Sequence, residues 1–183
     1  MKTESIVKYV ARLAITLLLI TSVVAAALAG VNSITAPAIA KLKAEKIMNA
    51  IEQVLPGGGK SVAFTDDSGW VSTVYQGETG YAVEVTPTTG FNGAITMMVG
   101  IDNDGNVLGI SVVSQTETAG LGAVAAATTS AGEAFRSQYI GLSGSVSVTK
   151  DSGQVEAITG ATITSRAICD GVNAALACVA NMG

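Results

Sequence analysis

Histidine is absent from this sequence of 183 residues. Its absence excludes Ser-His-Asp and Cys-His nucleophilic sites, histidine-bound haem and most catalytic zinc sites, because each of them needs an imidazole. Aromatic residues make up only 4%, so we expect no platform for stacking nucleic-acid bases. The two cysteines, Cys169 and Cys178, are too few to hold an iron–sulfur cluster alone, and we interpret both as small apolar helix residues. No metal site is predicted.

Charged residues are also scarce, at 13%, and they are unevenly distributed. Residues 1–50 contain six Lys and Arg against two Glu, which gives +4. Residues 51–183 contain four cations against twelve acids, which gives −8. Nucleic-acid binding needs clustered cations that displace counterions from phosphates. An acidic main part with a basic N-terminal end therefore argues against a nucleic-acid partner.

Between Arg12 and Lys41 the chain has no charged residue, and within this interval residues 13–31 are strongly apolar. As a helix this segment would be roughly 28 Å long, about the thickness of a bilayer core. The sequence therefore predicts one transmembrane helix; a signal peptide cleaved after small residues is the alternative. An anchor of this kind most often leaves its N-terminus, here residues 1–12, in the cytoplasm. We expect a single-pass protein of the cell (inner) membrane with its acidic domain on the extracytoplasmic side.

The rest of the chain is predicted to form a linker helix at residues 32–59 and one α+β domain at residues 60–183. Apolar residues recur at helical spacing in the linker, and Pro56 followed by glycines ends the pattern. Period-two alternation then predicts short antiparallel strands, and an Asn/Asp/Gly-rich turn at 102–106 predicts a hairpin. The predicted later elements are the hairpin strands 94–101 and 107–113, a helix within 131–140, a strand at 144–150 and a final helix at 165–181.

One candidate functional motif, Glu117 to Gly122 with the sequence ETAGLG, directly follows the second hairpin strand. Gly120 and Gly122 allow a ligand to approach the backbone closely. Glu117 and Thr118 supply polar groups at the end of the strand. A glycine-containing turn with a purely structural role is the alternative.

A second motif lies in residues 155–168, where four hydroxyl side chains surround Gly160 just before the predicted final helix. A helix N-terminus carries unpaired N–H groups and the positive end of the helix dipole, and both favour a phosphate. The alternative is an ordinary helix start at which Thr164 or Ser165 acts as the N-cap. The four hydroxyl residues are Thr159, Thr162, Thr164 and Ser165.

The sequence Thr159-Gly160-Ala161-Thr162 resembles the Ser/Thr-Gly-Ala-Thr flavinylation motif of the FMN-binding domain family. The ETAGLG motif resembles the second signature of that family, commonly Glu-Thr-Pro-Gly-Leu-Gly. The family includes the G subunit of the Rnf ion-translocating electron-transport complex and the C subunit of the sodium-pumping NADH:quinone reductase. The resemblance covers essentially the whole chain, and it is closest to the Rnf G subunit because the chain is short.

The resemblance implies a membrane-anchored flavoprotein subunit that relays electrons between ferredoxin and NAD, coupled to Na⁺ or H⁺ translocation, without independent catalysis. It implies FMN bound covalently by a phosphoester to Thr162, which makes this threonine a phosphorylated residue. It also implies a flavin transferase for maturation, and other Rnf subunits and the lipid bilayer as partners. The remaining residues implied at the cofactor site are Thr159, Gly160, Ala161, Thr164 and Ser165 around the phosphate, and Glu117, Thr118, Gly120, Leu121 and Gly122 on the ribityl or ring side.

Three positions depart from the family pattern. The flavin transferase prefers Asp three residues before the motif, and this chain has Glu156 there. Gln115 stands where the family often has His, and Ala119 stands where it has Pro. We expect modification to survive with Glu156 at a lower rate, and we expect Gln115 and Ala119 to alter loop stiffness or the flavin environment. The alternatives are the C subunit of the quinone reductase, or a membrane-tethered binding module without a redox role.

Overall fold

The computed structural model describes the backbone of residues 2–182 and the side chains of residues 6–182. The chain divides into two units, residues 1–45 and residues 46–183. The predicted α+β class is confirmed by an apolar N-terminal helix, a five-stranded antiparallel sheet and a C-terminal helix.

The first helix, α1, runs from Lys2 to Val54 and contains Pro37. The predicted span 13–31 and most of the predicted linker 32–59 fall on this one helix. Its most apolar window has a mean hydropathy of 2.4 and none of it is buried. The hydroxyl groups of Thr16 and Thr21 donate to carbonyl oxygens one turn earlier, as Thr21 does to Leu17, so these two need no outside partner. By length and composition α1 can cross a bilayer.

The sheet follows chain order, and each strand pairs antiparallel with the next. The predicted hairpin is confirmed, with a turn built around Asp102. The carboxylate of Asp102 accepts hydrogen bonds from the backbone N–H groups of Asp104 and Asn106. The side chain of Asn106 adds another bond and lowers the pKa of Asp102. The strands are β1 Lys60–Val62, β2 Val71–Gln76, β3 Gly80–Val85, β4 Thr96–Asp102 and β5 Val107–Ser114.

Helices cover both faces of the sheet. On one face, the end of α1 packs Ile51 and Leu55 against Met98. On the other face lies the C-terminal helix α3, Thr162–Ala180, in the main apolar core. Cys169 and Cys178 are buried on α3 as free thiols, and burial raises the pKa of both. This confirms their interpretation as small apolar helix residues.

Between β5 and α3 the chain forms short elements. A 3₁₀ helix spans Gly122–Ala126, and α2 spans Ser130–Ser137, which confirms the helix expected within 131–140. The strand predicted at 144–150 is wrong. Val146 exchanges backbone hydrogen bonds with the side chain of Asn173 on α3, and a second 3₁₀ helix follows at Thr149–Asp151. Val146 and Val148 are buried in the main core, and the segment forms only an isolated bridge between Val148 and Val155 instead of a strand.

Candidate cofactor-binding site

A cavity of about 330 Å³ lies between the ETAGLG loop and the start of α3. Both sequence motifs contribute to its walls. Its rim carries three apolar side chains, Phe91, Leu121 and Ile163, which are 65%, 42% and 46% exposed. The cavity therefore combines a mainly apolar lining with a few polar side chains, which is typical of sites for small molecules and cofactors.

A larger cavity of about 650 Å³ lies elsewhere, lined by residues that include Lys46, Ser111 and Arg136. None of the motif hydroxyls contributes to it. The guanidinium group of Arg136 already donates to the backbone carbonyl oxygens of Ala125 and Ala127. The smaller cavity is therefore the better candidate, because residues of both sequence motifs line it.

The buried side chain of Glu117 connects the ETAGLG loop to Asn92 and to Thr164 on α3 by hydrogen bonds. Its side chain is only 8% exposed. One carboxylate oxygen accepts a 2.9 Å hydrogen bond from the backbone N–H of Asn92, and the other accepts from the hydroxyl of Thr164. Both oxygens of this buried acid are thus satisfied, as a buried carboxylate requires.

Glycine is needed at Gly122 because the backbone passes very close to this carboxylate. A Cβ atom at Gly122 would overlap the side-chain oxygens of Thr164 and Glu117. Gly160 lies opposite, with φ +77°, and a Cβ there would come within 3.1 Å of the Leu121 side chain. The two motifs are therefore in direct contact at both positions.

The four motif hydroxyls occupy different environments. Ser165 is fully buried; its Oγ accepts from the N–H of Ile158 and donates to the carbonyl of Ala161. Thr164 is 1% exposed and bonds to Glu117. Thr162 is half-buried and lines the cavity, whereas Thr159 is exposed and does not line it.

Helix α3 begins at Thr162, three residues earlier than predicted. The alternative, in which Thr164 or Ser165 is the N-cap, is wrong, since Ala161 occupies the N-cap and no side-chain capping hydrogen bond forms there. Thr164 and Ser165 lie inside the helix and bond elsewhere. The backbone N–H groups of the first turn are therefore left without a side-chain partner, next to the Thr162 hydroxyl.

Lys150, which the sequence motifs did not identify, lies opposite Thr162. Its ammonium group donates a 3.0 Å hydrogen bond to Oγ1 of Thr162. The neighbouring Asp151 accepts two hydrogen bonds from Arg166 on α3, at 2.6 and 2.7 Å, and these lower its pKa. A lysine twelve positions before Thr162 has no periodic relation to it, so only the fold brings the two together.

The remaining predicted residues divide between the cavity and its surroundings. Thr118 and Ala161 line the cavity. Gly120 lies in the loop at φ +76° but is not part of the wall. Glu156 lies outside it with an exposed side chain, and its backbone is held by the side-chain amide of Gln138 on both its N–H and its carbonyl.

Comparisons with known proteins match the part of the chain that forms the cavity. The model of the FMN-binding domain family matches residues 90–177, which include both motifs and Lys150. The G subunit of the Na⁺-translocating ferredoxin:NAD⁺ oxidoreductase complex of Acetobacterium woodii is 31% identical over 196 residues. The match covers 96% of this chain and 94% of that protein. This chain belongs to the family of G subunits of ion-translocating oxidoreductase complexes.

Two further relatives that are also named as G subunits support the assignment. The G subunit of the ion-translocating oxidoreductase complex of Methanosarcina acetivorans is 32% identical, covering 92% of this chain and 94% of that protein. The G subunit of the proton-translocating ferredoxin:NAD⁺ oxidoreductase complex of Clostridium ljungdahlii is 33% identical, with coverage of 81% and 80%. These relatives are named for different ions, so membership of the family leaves the ion open.

Several observations indicate that the residues of this cavity fit FMN. The first turn of α3 offers unpaired N–H groups to a phosphate. Lys150 adds a positive charge beside the alcohol of Thr162. Gly122 has no side chain, so its backbone itself lines the cavity. The apolar side chains at the rim can contact a flavin ring.

Proposed function

We propose that this protein is the membrane-anchored flavoprotein subunit of an ion-translocating ferredoxin:NAD⁺ oxidoreductase complex. In that complex it relays electrons between ferredoxin and NAD through covalently bound FMN, coupled to Na⁺ or H⁺ transport. The observation that carries the proposal is the cavity in which both motifs meet, in a chain similar to known G subunits over nearly its whole length. Bound FMN would supply reversible electron uptake, and the protein supplies its position and surroundings.

Thr162 is the proposed attachment residue, through a phosphoester between its Oγ1 and the FMN phosphate. The alternatives among the motif alcohols are less suitable. Ser165 and Thr164 are buried and already hydrogen-bonded, and Thr159 does not line the cavity. Thr162 and Thr164 both line the cavity in the first turn of α3, but Thr164 is buried and only Thr162 is partly exposed.

The other motif residues are proposed to surround the cofactor without reacting. Gly160 and Ala161 shape the backbone before Thr162, and Ser165 holds that turn by its two hydrogen bonds. Glu117 and Gly122 form the opposite wall on the ribityl or ring side. A separate flavin transferase attaches the flavin, and the other subunits of the complex exchange electrons with it.

The attachment is tested by producing the full chain together with a flavin transferase, denaturing it and viewing the gel under ultraviolet light. We expect yellow fluorescence and an added FMN mass that persist in denaturant. Both should vanish in Thr162→Ala and remain in the matched control Thr159→Ala, which removes a hydroxyl three residues away. Loss in Thr159→Ala with retention in Thr162→Ala would place the attachment elsewhere, and an unmodified wild type would refute a covalent flavin.

The orientation is a separate part of the proposal. Residues 13–31 are proposed to span the bilayer once, with residues 1–12 in the cytoplasm and the FMN-binding domain outside it. Alkaline phosphatase folds to its active form only outside the cytoplasm, so its fusion after Gly183 should be active in cells. A fusion of the same enzyme after residue 8 should be inactive. The reverse pattern would contradict this topology.

A further inference from the structure

Lys150 is the only cation among the described residues that line the cavity, and Glu117 is the only anion. The two charges differ in their surroundings. Glu117 is buried and accepts two hydrogen bonds from the protein. Lys150 is exposed, and among the side chains that the structure describes, residues 6–182, it forms no ion pair with a carboxylate; its ammonium group contacts Oγ1 of Thr162.

A phosphodiester at Thr162 would bring a second negative charge into a cavity that already contains Glu117. Arg166 cannot balance it, because its guanidinium group is engaged in two hydrogen bonds with Asp151. We propose that Lys150 supplies the positive charge that holds the phosphoryl group at Thr162, both while the flavin is transferred and afterwards. This proposal rests on the proposed function, since it names a residue at the attachment site of FMN.

The segment that carries Lys150 is folded so that its side chain stays over Thr162. Val148 pairs with Val155, and the N–H of Gly153 donates back to the carbonyl of Val148. Ser152 adopts a left-handed conformation at φ 64° to close this turn. The Asp151–Arg166 pair then fastens the turn to the first turns of α3. The position of Lys150 is thus set by the backbone on either side of it.

In the transfer itself, Oγ1 of Thr162 forms a bond to the phosphorus in the FMN half of FAD. The bond from that phosphorus to the oxygen shared with AMP breaks, and AMP leaves with this oxygen and its electron pair. The hydroxyl proton passes to solvent, and no atom changes its oxidation state. The anionic oxygens of the resulting diester would be two bonds from the Thr162 oxygen that the Lys150 ammonium group contacts, so Lys150 would form a charge-assisted hydrogen bond to them.

The test measures how fast purified full-length protein gains FMN mass from FAD and a flavin transferase. Lys150→Met removes the charge and the hydrogen bond, Lys150→Gln removes only the charge, and Lys150→Arg keeps the charge. We expect Met and Gln to slow loading about tenfold, the size of one charge-assisted contact, and Arg to stay near wild type. The wild-type rate should also fall more steeply with salt than the Met rate. Lys60→Met, an exposed lysine on β1 outside the cavity, is the matched control and should load normally.

The melting temperatures of the proteins without flavin show whether a variant loads slowly because it is less stable. We expect all variants to melt at the wild-type temperature, because Lys150 is exposed. Loading of Lys150→Gln or Lys150→Met at the wild-type rate and with the wild-type salt dependence would overturn the proposal. Slow loading of Lys150→Arg would also overturn it, since the charge would then not be what matters. If the wild type gains no FMN mass, the proposed function itself fails; if the wild type loads and these variants match it, only the role of Lys150 fails.

Discussion

The two walls of the cavity are stabilised in different ways. The first wall, residues 117–122, is held from inside by the buried carboxylate of Glu117 and by a backbone that leaves no room for a side chain at Gly122. The second wall, residues 147–162, is held by backbone turns and by the exposed Asp151–Arg166 pair. Exposed ion pairs contribute little to stability, whereas a satisfied buried carboxylate is costly to disturb. The first wall is therefore a rigid support, and the second presents its reactive groups to solvent.

Removing the buried carboxylate of Glu117 should have the largest effect on stability. Glu117→Ala deprives the N–H of Asn92 and the hydroxyl of Thr164 of their acceptor. We expect the free energy of unfolding to fall by about 3 kcal/mol, because the buried Thr164 hydroxyl and the Asn92 N–H both lose a charged acceptor. Urea unfolding followed by circular dichroism measures this change.

The matched variant Glu117→Gln distinguishes hydrogen bonding from charge. Its amide oxygen can still accept from Asn92, and its amide group can donate to the hydroxyl of Thr164. We expect a loss of only about 1 kcal/mol. If Glu117→Ala were as stable as Glu117→Gln, the first wall would not depend on the hydrogen bonds of Glu117. The two walls would then not differ in how they are stabilised.

A smaller effect is expected at Glu156, at the exposed side of the second wall. Its side chain is exposed and its backbone is already held by Gln138, so Glu156→Gln should leave the melting temperature unchanged. It should nevertheless lower the rate of flavin loading, because the proposed role of the carboxylate is recognition by the transferase. Glu156→Asp, which restores the family's residue, should raise that rate above wild type. Equal loading of all three proteins would show that the transferase does not read this carboxylate.

Sequence patterns predicted the parts of the fold whose contacts are close in the chain. The β4–β5 hairpin follows from the turn around Asp102, and α2 from its local amphipathic pattern. The strand expected at 144–150 failed because Val146 meets Asn173, a partner 27 residues away that no local pattern reveals. The start of α3 was misplaced for a related reason, since Ser165 looked like a cap but bonds backwards to the residue 158 amide.

The candidate site was predictable in the same uneven way. Both motifs could be recognised from their residues, and the fold brings them into contact through Gly122 and Gly160. Lys150 could not be recognised, because its relation to Thr162 depends on the turn closed by Ser152. A polar stretch twelve residues before a proposed attachment site carries no signal until the chain is folded.

The close approach at Gly122 also constrains how this sequence can change. Glu117, Gly122 and Thr164 occupy one small volume, and a methyl group at the middle position would collide with both of the others. Substitutions at these three positions are therefore expected to be non-additive, as they are for residues in direct contact. A smaller residue at 117 or 164 makes room for a side chain at 122, so a tolerated change at one position depends on which residues occupy the other two.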